Sequence, residues 1–299
     1  MEFHTLDVFT DQPYSGNPLA VVLGADALST AQMQKIAREF NLSETIFVQA
    51  PTTPAHTAKV RIFHPYGELP FAGHPTIGCA ILLAEMANAG DFDVTITLEE
   101  MAGLVPVNVS RKGADISAEF TAPVIPFAYK GGEISNAMAA AALGLVQHDI
   151  GFDSHHLNNL QGGPKFVFVP VNSRAALAKA AVVNPAFQEF TKTADNAAVY
   201  AYCRNENGFS ARMFAPAHGM PEDPATGAAS AIFAAQLLHA GELVEGRNSI
   251  LLKQGQDMGR PSQIDLSVDL ASGKIKAVRI KGAAVQISAG KISVLPLES

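Results

Sequence analysis

The sequence predicts an α+β protein of two pseudo-symmetric, barrel-like domains, each a curved and mostly antiparallel sheet around a central helix. Three observations carry this. Strand-like segments come in consecutive runs instead of alternating with helices, which disfavours a doubly wound sheet. Two helical segments, 75–88 and 225–240, are apolar around much of their circumference. In the first, Ile77, Cys79, Ile81, Leu82, Leu83 and Met86 do not fit one narrow stripe. Such a helix must be enclosed, and with so many strands available a curved sheet is the simplest enclosure. Third, the chain repeats itself. "RIFHPYGELPFAGHPTIGCA" (61–80) resembles "RMFAPAHGMPEDPATGAA" (212–229), with Arg61, Phe63, Pro65 and Pro70 on Arg212, Phe214, Pro216 and Pro221 at a constant separation of 151. After a two-residue gap in the second copy, His74-Pro75 meets Asp223-Pro224 and Gly78 meets Gly227. Upstream, "GNPLAVV" (16–22) resembles "GGPKFVF" (162–168), with Gly16 and Pro18 on Gly162 and Pro164. Ordered matches half a chain apart indicate duplication. The expected domains are 1–127 and 128–299, the last strand crossing back to the first.

The elements follow in order. Strands are expected at 3–9 and 19–23, where β-branched and aromatic residues concentrate. Ser29 followed by Gln32 is a capping-box signature for a helix over 30–40, which Asn41 can close. Strands follow at 44–50 and 57–64, then the helix at 75–88, then strands at 94–100, 104–111 and 116–122. A helix over 135–145 opens the second half. Strands at 165–171, 197–203 and 209–215, with short helical pieces between them, lead to the helix at 225–240. Strands at 249–255, 263–270, 274–280 and 291–297 end the chain.

Composition narrows the function. Of 299 residues, 48% are hydrophobic and 16% charged, enough apolar material for full cores. The net charge of −7 and the lack of a Lys/Arg-rich run exclude a nucleic-acid footprint. The most apolar stretch, 137–146, is too short for the roughly 20 residues of a membrane span. The N-terminus lacks a basic segment followed by a long apolar one, so no secretion signal is expected. Cys79 and Cys203 form no ligand cluster and read as reduced packing residues of a cytoplasmic protein without a zinc framework.

The candidate site lies where the two enclosed helices begin. Pro75 and Pro224 read as first helical residues, placing His74 and Asp223 at the N-caps. Duplication predicts that both helix starts face one inter-domain cleft, a usual place for ligands. Free N–H groups and positive partial charge there suit an anionic group such as a substrate carboxylate. The same field keeps the His74 imidazole neutral. No nucleotide-binding glycine motif occurs, so no nucleotide is implied. Glu44, in "NLSETIFV", reads either as an exposed carboxylate at a strand edge or as a proton carrier.

The segments "DVFT…PYSGNPLAVV", "NLSETIFV", "VRIFHPYGELPFAGHPTIG" and "RMFAPAHGMPEDPATGAA" resemble the PhzF-like family of phenazine biosynthesis. The resemblance runs through both halves and implies a diaminopimelate epimerase-like fold. It implies an isomerase that moves a proton without metal or organic cofactor. By position, the acid and base is Glu44. His74 and Asp223 hold and polarise the substrate, and Gly73 and Gly227 bind its carboxylate. Asn17, Thr226 and Ala228 complete the expected binding set. The phenazine enzyme has a serine directly after "DPATG", whereas this chain has Ala228, which donates no hydroxyl hydrogen bond. The fold's racemases carry a cysteine at each helix start, and "FAGHP" and "PEDPA" contain none. The expectation is thus a cofactor-independent isomerase of a small carboxylated molecule, with a homodimer as the expected assembly. The alternative is a binding or scaffold protein that kept the fold and lost the chemistry. A hydrolase or lyase using the same acid–base pair is a third.

Overall fold

The computed structural model describes residues 1–293 and Leu295. In chain order its elements are β1 (Glu2–Val8), β2 (Asn17–Val22), α1 (Thr30–Phe40), β3 (Glu44–Gln49), β4 (Ala58–His64), β5 (Gly67–Leu69), α2 (Gly73–Ala87), β6 (Phe92–Glu100), β7 (Gly103–Lys112) and β8 (Asp115–Thr121). There follow β9 (Phe127–Ala128), α3 (Asn136–Leu143), β10 (Asn158–Gln161), β11 (Lys165–Pro170), α4 (Arg174–Lys179), α5 (Ala186–Thr193), β12 (Ala198–Asn205) and β13 (Gly208–Ala215). Last come β14 (Met220–Asp223), α6 (Gly227–His239), β15 (Gly246–Gln254), β16 (Ser262–Ala271), β17 (Lys274–Gly282) and β18 (Ala284–Lys291). The chain divides into two compact units, Met1–Pro123 with Lys281–Ser299, and Val124–Ile280.

In the first unit β1 pairs antiparallel with β2 and β18. β2 runs parallel to β3, which pairs antiparallel with β4. β4 pairs antiparallel with β5 and parallel with β6, and β6, β7 and β8 form a meander. This sheet curls around α2, which touches β1, β2, β3, β6, β7, β8 and β18. Every residue of α2 from Gly73 to Leu82 is buried, as the unstriped apolar pattern requires. Gly78 shows how close the wrap is. A Cβ there would lie 2.6 Å from a Leu19 methyl and 2.8 Å from a Val8 methyl, so any larger residue would have to displace the side chains of β1 and β2. Outside the sheet, α1 lays Met33, Ile36 and Ala37 on Val22, Phe47 and Phe63. Its capping box is formed: Ser29 Oγ accepts from Gln32 N at 3.3 Å, and Gln32 Oε1 accepts from Ser29 N at 3.0 Å. Asn41 ends the helix in the left-handed conformation, φ 50°. Ser29→Ala should lower stability by about 1 kcal/mol, read as a shift in the urea midpoint at unchanged slope.

The second unit repeats the plan. β9, β10 and β11 pair antiparallel, β11 runs parallel to β12, and β12 pairs antiparallel with β13. β13 pairs antiparallel with β14 and parallel with β15, which pairs antiparallel with β16. The enclosed helix is α6. Its Phe233 meets Phe168, Tyr200, Tyr202 and Phe209, with ring centroids 4.7 to 6.1 Å apart. Residues from α3, α4 and α5 form a further apolar layer with β11, β12 and β13.

Several expectations are corrected. The helix over 75–88 begins two residues early, at Gly73, with Ala72 as N-cap. His74 is therefore the second helical residue and Pro75 the third, where the missing N–H is still no loss. In the other half Thr226 is the N-cap and Gly227 the first helical residue. Asp223 ends β14 instead of capping the helix, consistent with the extended backbone favoured before proline. β5, β9, β10 and β14 are too short to register as alternating patterns. β18 carries polar and small residues that mask its alternation. Of the strand expected over 291–297, Lys291 ends β18 and Ile292 and Ser293 lie outside any strand. Its residues 294, 296 and 297 fall outside the described residues.

Strand registers also revise the repeat. Thr45 faces Phe63 as Val199 faces Phe214, and Ile62 faces Leu69 as Met213 faces Asp223. The structural counterpart of Asp223 is thus Leu69 and that of Glu44 is Ala198. Gly73 and Gly227 both start their helices, so His74 corresponds to Ala228. The second copy gains two residues in the turn before β14 and a third at the register shift within the β13–β14 pairing; it does not lose two after it. Leu19 faces Glu44 as Phe166 faces Ala198, moving the upstream match by one residue.

Candidate active site

In the first unit the site is built by three elements. Asn17 starts β2 and is fully buried. Glu44 starts β3, directly opposite Leu19 of β2 in the parallel register. His74 sits in the first turn of α2. Glu44 is only 8% exposed, which rules out the reading of an exposed edge carboxylate. Its Oε2 lies 3.3 Å from His74 Nε2.

The histidine is held in one orientation. Burial pushes its imidazole down to about 3, against a weaker opposing pull from a hydrogen bond to the Pro18 backbone. Proline offers only a carbonyl, so the ring must donate there. Nε2 makes no hydrogen bond among the described residues, which assigns the donor to Nδ1. A neutral ring protonated at Nδ1 presents the Nε2 lone pair to Glu44. A carboxyl oxygen and a lone pair at this distance are suited to share one proton.

In the second unit the expected residues form a separate hydrogen-bonded cluster. Thr226 donates its hydroxyl to Asp223 Oδ2 at 2.5 Å. Gln254, fully buried at the end of β15, donates through Nε2 to the Asp223 carbonyl at 2.7 Å and to Thr226 Oγ1 at 3.0 Å. Its Oε1 accepts from Thr226 N at 3.2 Å. The turn after Gln254 requires glycine: Gly255 has φ 76°, and a Cβ there would lie 2.3 Å from the Arg260 carbonyl. Gly227 is buried at the helix start. Ala228 is half-buried, and the nearby Ser230 does not replace its missing hydroxyl, because Ser230 donates to the Thr226 carbonyl at 2.9 Å.

Sequence reasoning missed Gln254, Thr76 and Glu100. All are polar residues at strand ends or inside an apolar helix, and nothing in local spacing marks them. The cysteines take no part. Burial raises the Cys79 thiol far above its ordinary range, and burial raises Cys203 to about 11. Among the described residues no group of His, Cys, Asp or Glu is arranged to hold a metal ion. No helix of the described residues is long and apolar enough to cross a membrane.

Comparison with known proteins matches this frame. Residues 6–290 fit the family model PhzC-PhzF, phenazine biosynthesis-like protein. The chain is 41% identical over 295 residues to an uncharacterized isomerase of Mesorhizobium japonicum, covering 96% of this chain and 97% of the relative. It is 34% identical over 288 residues to the trans-2,3-dihydro-3-hydroxyanthranilate isomerase of Pseudomonas chlororaphis, again covering 96% and 97%. A crystal structure of a PhzF-family phenazine biosynthesis protein from Bacillus anthracis superposes with a TM-score of 0.86 at 26% identity, covering 98% of this chain and 99% of the other. The buried carboxylate–imidazole pair thus sits in a chain that belongs, along nearly its whole length, to the phenazine biosynthesis-like PhzC-PhzF family, and it is an enzyme of the isomerase class.

Proposed function

We propose that this isomerase moves a proton between two carbons of a small carboxylated substrate, with Glu44 as both acid and base and no metal or organic cofactor. The observation that carries the reading is the Glu44–His74 pair, 3.3 Å apart and buried at the start of α2. Glu44 takes the proton from carbon and returns it at another carbon. His74 Nε2 accepts a hydrogen bond from the protonated carboxyl, which orients the acid between the two steps. Backbone N–H groups in the first turn of α2, beginning at Gly73, stabilise the substrate's negative charge. Asp223, with Thr226, Gly227 and Ala228, is assigned to substrate binding in the same reaction. Ala228 offers the substrate no hydroxyl donor at the position where the phenazine enzyme has a serine.

The test is proton exchange. The purified enzyme is incubated in deuterium oxide with a panel of small unsaturated carboxylates, trans-2,3-dihydro-3-hydroxyanthranilate included, and followed by NMR. Deuterium should enter one panel member at a single carbon, with a shifted double bond in the product. Prior treatment with a chelator should leave that rate unchanged. No exchange into any member, or exchange abolished by the chelator, would count against the proposal.

A further inference from the structure

The two enclosed helices are followed by equivalent strands. Ala58 and Lys59 of β4 face Leu98 and Glu99 of β6, as Phe209 and Ser210 of β13 face Leu252 and Lys253 of β15. One residue on, Glu100 is therefore the counterpart of Gln254, and both end their strands. The same separation of 154 relates Gly73 to Gly227 and Thr76 to Ser230, so helix and strand were inherited as one unit. In the second unit Gln254 donates to a threonine hydroxyl beside the helix start, and that hydroxyl donates onward to Asp223. The first unit has a parallel arrangement. Thr76 Oγ1 lies 2.7 Å from Glu100 Oε1 and 2.7 Å from the carbonyl of Ala72, the N-cap of α2.

Counting protons decides the state of Glu100. A threonine hydroxyl has one hydrogen and here two oxygen neighbours. With Glu100 ionised, one of the two short contacts has no proton in it. With Glu100 protonated, the acid donates to Thr76 and Thr76 donates to Ala72, and both contacts are made. Glu100 Oε2 is also buried without a hydrogen-bond partner among the described residues, an arrangement costly for a carboxylate and mild for an acid.

We propose that Glu100 works as a neutral, amide-like positioning residue, the first unit's equivalent of Gln254, which holds the start of α2 and with it His74. The claim about Glu100 stands on the hydrogen-bond chain; its consequence for turnover rests on the function proposed for Glu44 and His74. Burial, against a weaker pull from Thr76, raises the Glu100 carboxyl to about 8. Ionisable groups facing it are few. α2 brings Thr76 and Cys79, whose thiol burial keeps protonated. Glu99 points to the opposite face, where it meets Thr52 and His56, and Lys59 is exposed on β4. β7 has no ionisable side chain between Gly103 and Ser110, and Glu119 of β8 alternates away from buried Ala118 and Phe120. The sign follows from linkage. Between the ordinary glutamate value and about 8, the folded chain keeps a proton that the unfolded chain has released, so stability falls as pH rises through that window.

The experiment compares wild type, Glu100→Gln and Glu100→Leu in three measurements on the full chain. Infrared difference spectra at pH 7 should show a protonated-carboxyl band in wild type that is missing from Glu100→Gln and disappears near pH 8. Amide exchange over 73–77, corrected for intrinsic rates, should rise about tenfold in wild type between pH 6.5 and 9, the size one lost buried hydrogen bond implies. It should stay flat in Glu100→Gln and be high at both pH values in Glu100→Leu. Turnover should survive in Glu100→Gln with its alkaline limb removed. An ionised Glu100 at pH 7, or Glu100→Gln as damaging as Glu100→Leu at pH 6.5, overturns the proposal. The infrared and exchange measurements need no turnover, so they report on Glu100 even if the role given to Glu44 fails.

Discussion

Glu44→Gln should lower solvent-proton exchange into substrate by about 10²–10⁴-fold, the usual contribution of a positioned acid–base group. The amide keeps the shape of the acid and can neither take a proton from carbon nor return one. The fold should survive, because the position does not need a carboxylate. Its counterpart in the second unit is Ala198, which lies opposite Phe166 of the parallel neighbour as Glu44 lies opposite Leu19. His74 keeps its hydrogen bond to Pro18 in the variant, since that bond uses the other ring nitrogen. Thermal melting within a degree or two of wild type, together with lost deuterium incorporation, is the expected pair of results. Wild-type incorporation in Glu44→Gln would remove Glu44 from the chemistry.

Arg212→Ala should destabilise the second unit by about 3–5 kcal/mol, the range for removing one partner of a buried ion pair. The guanidinium is clamped on every side. Nε and Nη2 donate to the two oxygens of Glu222, each at 2.8 Å. Nη1 donates to the carbonyls of Leu177, Ala178 and Ala180 at 3.2, 3.2 and 2.6 Å, satisfying the C-terminal end of α4. The same group lies over the Phe214 ring at 4.9 Å. Truncation therefore strands a largely buried carboxylate and the carbonyls of Ala178 and Ala180 at once, while Leu177 still accepts from Ala180 N. Arg61 is the control. It makes the same fork with Glu68, at 2.7 and 2.6 Å, and lies over Phe63, but no carbonyl depends on it and it is more exposed. Arg61→Ala should cost clearly less. Urea unfolding of both variants measures the difference, and equal costs would show that the α4 carbonyls contribute nothing. Glu222 precedes Asp223, so Arg212→Ala should also weaken substrate binding.

Much was legible before any coordinate. Periodicity located both enclosed helices, because a helix buried on all sides must be apolar on all sides. The capping box at Ser29 and Gln32 and the left-handed Asn41 were readable because they are local chemistry. Matching arginines marked the repeat, and both make the same fork to a glutamate. Motif resemblance named the family and the residues Glu44, His74 and Asp223.

By itself, then, the sequence determined the fold class, the enclosed helices, the duplication and the family, all of which are written in local pattern or in motifs. The tertiary structure decided which residues are equivalent and which touch. That Asp223 corresponds to Leu69 and that Glu100 stands where Gln254 stands follow from strand register, and that His74 faces Glu44 through Nε2 follows from the packing of α2 inside its sheet. Register is a pairing between segments distant in the chain, and a shift of one residue turns every side chain to the other face. The protonation of Glu100 belongs there too, because it depends on burial and on two oxygens that share one threonine hydrogen.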